Sequence, residues 1–169
     1  MNQDHLHSFY NDLNHLGLEN NWPALEQHFF HIAAARSDPN LIDQIKTFDL
    51  DPYTAGLIQF LKDQFSEISF HAVKAFYFEY DPTSLWKGTL FICDRYSPLR
   101  SANDEWARHW IQKAAGPKLP EFAEWFQQQG GFNHENEAQI GITFYLIARM
   151  IAAYGRAIES LPLTRAAIC

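Results

Sequence analysis

Between Ser69 and Tyr96 the chain reads SFHAVKAFYFEYDPTSLWKGTLFICDRY, two apolar runs joined by a short connection that carries a tryptophan. Successive side chains of extended backbone point to opposite faces, so alternation of this kind marks strands. In the first run Phe70, Ala72, Phe76, Phe78 and Tyr80 share a face with Lys74, while His71, Val73, Ala75, Tyr77 and Glu79 share the other. The first face is the expected core side. An antiparallel return over residues 88–96 sets Phe76 against Ile92 and Phe78 against Leu90, and brings Lys74 opposite Asp94. Two strands alone are marginal in water, so helices or further strands must cover them.

The flanking sequence supplies helices. Leu6, Phe9, Leu13 and Leu16 recur at helical spacing before Gly17, which predicts a helix over residues 4–16. Pro23 suits a first turn, and Trp22, Leu25, Phe29 and Ile32 give the stripe of a second helix, 23–36. Asp38-Pro39 and Asp51-Pro52 repeat one start signal, a capping carboxylate before a proline of preset φ, and predict helices 39–47 and 52–66. Beyond the strands, residues 101–104 have capping-box spacing, and Trp106 and Trp110 share a face of a predicted helix 102–115. Pro120 opens another, 120–129, stopped by Gly130-Gly131. The last, 135–160, is apolar almost all round from Ile140 to Ile151, the pattern of a central helix. Pro162 to Cys169 reads as a loose tail. The expected architecture is α+β, a mainly helical single domain over residues 1–169 with a central antiparallel hairpin between N-terminal and C-terminal helices.

Composition narrows the function classes. A chain of 169 residues, 47% hydrophobic and 20% charged, can bury one substantial core. The formal net charge of −7 argues against a nucleic-acid partner, which is held by clustered Lys and Arg, and favours a basic protein. Met1 to His7 has no basic segment followed by an apolar one, and the apolar run Ile140 to Tyr154 is broken by Arg149, so the expectation is a cytoplasmic protein outside the membrane. Cys93 and Cys169 form neither a disulfide framework nor a metal pair and read as free thiols.

His5, His7, His28 and His31 make two pairs without an acidic HExxH partner, and surface histidines are the commoner outcome, so neither metal nor cofactor is expected. Glu79, Asp81 and Asp94 offer carboxylates for a small hydrolase, or else pair with Lys74, Lys87 or Arg95. Ser84, Ser97 and Cys93 lack a nucleophile signature, and Gly130-Gly131 has no phosphate-loop lysine. Trp86, in the connection, either folds onto the core or anchors a partner. With acidic residues around it, Glu79, Asp81, Trp86 and Asp94 form the candidate partner-binding set.

Residues 76–81 (FYFEYD), Trp86, residues 91–94 (FICD), residues 104–107 (DEWA), Trp110 and residues 120–126 (PEFAEWF) together resemble small cytoplasmic immunity proteins. Such proteins accompany bacterial polymorphic or contact-delivered toxins. The resemblance spans roughly residues 70–126 and implies a single-domain inhibitor that binds its cognate toxin directly, without a cofactor. It brings no site residue with it. The function expected is therefore a non-catalytic protein-binding module. The alternatives are the carboxylate hydrolase and a structural protein that oligomerises through its aromatic surface.

Overall fold

The computed structural model describes residues 3–68, 71–97, 105–133, 135–161 and 167–168. Ser69, Phe70, the stretch 101–104, residues 162–166 and Cys169 lie outside the described residues, as do the side chains of His5 and Leu6. Helices α1 (Gln3–Leu18), α2 (Trp22–Ala34), α3 (Pro39–Thr47) and α4 (Asp51–Ser66) precede strands β1 (Ala75–Asp81) and β2 (Lys87–Cys93). A 3₁₀ turn (Glu105–Arg108), β3 (Trp110–Ala115), α5 (Pro120–Gln128), α6 (Glu137–Glu159) and the two-residue β4 (Ala167–Ile168) complete the α+β fold.

Helix starts follow local hydrogen bonding. Asn21 accepts from the Ala24 N–H at 3.3 Å, Asp38 from Asn40 at 2.9 Å, and Asn136 from Ala138 at 3.0 Å. At α4 the expected Asp51 cap is replaced by Asp49, whose carboxylate accepts from the Asp51 N–H at 2.8 Å. Asp51 itself lies in the first turn, where its charge faces the positive helix end. The glycine pair does end α5: Gly130 and Gly131 take φ of 91° and 74°, a region open to residues without a Cβ.

Helix α6 is the centre of the core. Ile140, Phe144, Leu146, Ala148, Met150, Ala152 and Ala153 are all buried. The helix is long and apolar enough by composition to cross a bilayer, yet 72% of its most apolar window is buried within the protein. Its closest neighbour is α2. A Cβ at Gly155 would run into the Trp22 ring, so hydrogen is needed there, and one at Gly141 would sit tightly at 3.2 Å from the Ala33 backbone.

The sheet runs in the order β3-β2-β1-β4. The β1–β2 register pairs Phe76 with Ile92 and Phe78 with Leu90, as the alternation predicts. Phe76 is fully buried against Phe65, their ring centroids 4.5 Å apart, and Phe78 stacks on Tyr154 of α6 at 4.5 Å. The ladder ends at Ala75 and Cys93, one step short of Lys74 and Asp94. Those two side chains are exposed and form no ion pair among the described residues. Water screens such a pair enough that it does not extend the strands.

Two corrections concern the sheet. The predicted helix 102–115 is instead the 3₁₀ turn followed by β3, paired antiparallel with β2. The reason lies in β2: Leu90, Phe91, Ile92 and Cys93 are all buried, the pattern of a central strand, and its second edge needs hydrogen-bond partners. Within the expected tail, Ala167 and Ile168 pair in parallel with Ala75 and Phe76 of β1.

Candidate functional site

The four residues expected to bind a partner part company. Trp86 is fully buried, edge-on to Phe122 and Phe126 at centroid distances of 5.8 Å. Its ring belongs to the core and cannot anchor a partner. The connection that delivers it there is strained, since Leu85 and Trp86 adopt φ of 59° and 49°, where a Cβ crowds the following carbonyl.

Asp81 holds that connection. One carboxylate oxygen accepts from the Thr83 N–H at 2.9 Å and from Thr83 Oγ1 at 2.6 Å, and the other accepts from Ser84 Oγ at 2.5 Å. These hydrogen bonds, first Ser84 and then Thr83, favour the ionised form and pull the Asp81 pKa down to about 2. A lowered folded pKa means that the stabilisation is complete above the unfolded value, near pH ~4, and is lost as pH falls through the folded one. Carboxyl-carbon NMR should show Asp81 titrating near 2, and Ser84→Ala combined with Thr83→Val should return it toward the ordinary aspartate range. A wild-type midpoint near ~4 would refute the assignment.

Glu79 and Asp94 are exposed but distant in the ladder. Glu79 lies opposite Thr89, whereas Asp94 follows Cys93 at the far end, opposite Ala75. Asp94 continues that register opposite Lys74, and at ~3.3 Å per residue the seven steps from there to Asp81 place Asp81 and Asp94 roughly 23 Å apart. Asp94 therefore does not join Glu79 or Asp81 in an acid–base pair across the hairpin. The histidines are also separately engaged: His28 pairs with Asp12 at 3.2 Å, and His31 contacts Gln27 at 3.5 Å. Among the described residues no group of three or more His, Cys, Asp or Glu is placed to hold a metal ion.

What the fold does assemble is a row of five aromatic rings on the sheet face opposite Phe76 and Phe78. Tyr96 meets Trp106 at 5.3 Å, Trp106 meets Tyr77 at 6.3 Å, Tyr77 meets Phe91 at 5.7 Å, and Phe91 meets Trp110 at 6.1 Å. Each of the three long strands contributes one ring, Tyr77, Phe91 and Trp110, and the 3₁₀ turn contributes Trp106. Phe91 also forms, with Ala75 and Cys93, a small buried cluster separate from the main core. Burial, followed by the charge of Glu79, raises the Tyr77 pKa, so its phenol stays neutral. Lys113 Nζ stands 5.0 Å from the centroid of Phe91, a cation on an aromatic face.

The row is wet at its ends. Trp110 is 49% exposed, Tyr96 40%, and the adjoining Ile111 52%. An open groove of 1320 Å³ runs past Tyr77, Glu79, Trp106 and Trp110 toward Tyr154 and Ile158 of α6. Sequence reasoning selected Glu79 from this surface; it singled out Tyr77, Tyr96, Trp106 and Trp110 as aromatic candidates but did not join them into a site, because Trp106 and Trp110 fit one helix face equally well. The available signal was the run TLFIC at residues 89–93, apolar on both faces and so demanding a third strand. Comparison with protein-family models, curated proteins and solved structures finds no match.

Proposed function

We propose that the chain is a non-catalytic protein-binding module whose contact surface is the aromatic row, with Glu79 at its margin and Asp94 beyond the end of β2. The observation that carries this reading is the exposure of Trp110, Ile111 and Tyr96 together around one sheet face. Rigid aromatic side chains bury large area with little loss of conformational freedom, which is why they dominate binding hot spots. The resemblance to immunity proteins suggests the specific role: neutralising a cognate bacterial toxin in the cytoplasm by direct binding, without a cofactor. The net charge of −7 supports a basic toxin domain as partner, drawn in by long-range attraction.

The test is affinity capture from the native host, comparing the wild type with the double variant Tyr96→Arg, Trp110→Arg, both checked for native circular dichroism. A protein partner retained by the wild type and lost by the variant is the expected outcome. Co-expression with a toxin encoded beside the gene should then protect cells only when the wild-type chain is present. A partner held equally by both proteins overturns the surface, and failure of both capture and protection overturns the module. Self-association through the same rings is the competing use, and it would appear as a concentration-dependent mass in solution.

A further inference from the structure

We infer that this face takes its partner by strand addition, with an acidic extended segment of another protein pairing along the outer edge of β3. The inference rests on the protein-binding reading and specifies the geometry of the contact. β3 ends the sheet, with β2 on one side and no strand on the other among the described residues. The β2–β3 register pairs Thr89 with Ala115 and Leu90 with Ala114, and Gly116 continues it, its N–H donating to Gly88 O at 2.9 Å. In an antiparallel ladder hydrogen-bonded pairs alternate with unbonded ones, so Gln112 and Ala114 turn their backbone groups toward β2. Lys113 and Ala115 turn theirs outward, which leaves a template for one more strand.

Charge selects the occupant. From Arg108 to Lys118 the chain carries Arg108, His109, Lys113 and Lys118 and no acidic residue, in a protein whose 20 acidic residues outnumber 13 Lys and Arg. Arg108, Lys113 and Lys118 form no ion pair among the described residues. Asp94 and Arg95, just beyond β2, add one charge of each sign. Pairing of β3 with the β3 of a second copy would set the cations against one another. The extra residue Ile111, which interrupts the register between Ile92 and Cys93, would also spoil that symmetric ladder. An acidic strand that alternates with apolar residues meets Lys113 with opposite charge on one face and sets its apolar side chains on the other. The charge of the whole protein acts on the partner at long range, while this strip acts on the segment in contact, inside the screening length.

The probes are two blocked heptapeptides, one alternating valine with glutamate and one alternating valine with lysine. Titrated into the full chain, the glutamate peptide should shift the backbone amide signals of Lys113 and Ala115 and bind roughly tenfold tighter than the lysine peptide. Lys113→Glu, checked for native near-ultraviolet circular dichroism, should reverse that preference, and N-methylating the pairing edge of the peptide should abolish binding. Absent shifts, shifts confined to other regions, equal affinity for the two peptides, or a dimer formed through β3 in sedimentation overturns strand addition. If the peptides fail while Tyr96→Arg with Trp110→Arg still releases the native partner, strand addition falls and the protein-binding reading stands.

Discussion

Arg149→Ala is expected to destabilise the fold by roughly 3–5 kcal/mol, the range for removing one member of a buried ionic network. Arg149 is the one cation on the apolar stretch of α6, and it is only 8% exposed. Its Nη1 donates to Ile45 O, and its Nη2 donates to Phe48 O at 2.9 Å. These carbonyls lie at the end of α3, where the helix has run out of internal donors. The guanidinium Nε also stands 3.8 Å from Glu26, which Arg156 approaches to 3.3 Å. Truncation thus strands two carbonyls and leaves Glu26 with a single, more exposed cation. Arg149→Lys should recover only part of the loss, because one ammonium cannot span the positions that the planar fork reaches. Urea unfolding would measure both, and an alanine variant within ~1 kcal/mol of wild type would show that Arg149 does not hold α3.

Trp86→Ala should cost a similar amount, about 3–5 kcal/mol, through the cavity left between Phe122 and Phe126. A second effect offsets part of it, because the connection can relax once the ring is gone. The left-handed backbone at Leu85 and Trp86 is unfavourable by ~1–2 kcal/mol per residue and is held in place by burial of the ring. Trp86→Phe should be far milder, since the indole Nε1–H has no hydrogen-bond partner to lose among the described residues. Near-ultraviolet circular dichroism with urea unfolding distinguishes the core role from a recognition role. An alanine variant with wild-type stability and diminished partner binding would return Trp86 to the contact surface.

The fold was legible wherever local signals and long-range packing agree. Phe76 with Ile92 and Phe78 with Leu90 follow from alternation, because a slip by one residue would turn every core ring outward. Helices α2, α3 and α5 begin where a proline enters the first turn, and the apolar circumference of α6 marked it as central. Residues 105–115 were misread because the spacing of Trp106 and Trp110 suits a helix, and nothing local opposes it. Pairing with β2 decided otherwise, through the hydrogen-bonding demand of a strand distant in sequence.

The candidate site divides along the same line. By itself, the sequence determined the α+β composition, the strand register, and which face of β1 meets the core, since all three follow from local periodicity and one short connection between the strands. Only the tertiary structure decided that Trp86 is core, that Asp81 belongs to its own turn, and that Tyr96, Trp106, Tyr77, Phe91 and Trp110 form one row. A recognition surface joins residues from separate elements, and their proximity is set by how those elements pack rather than by their spacing along the chain.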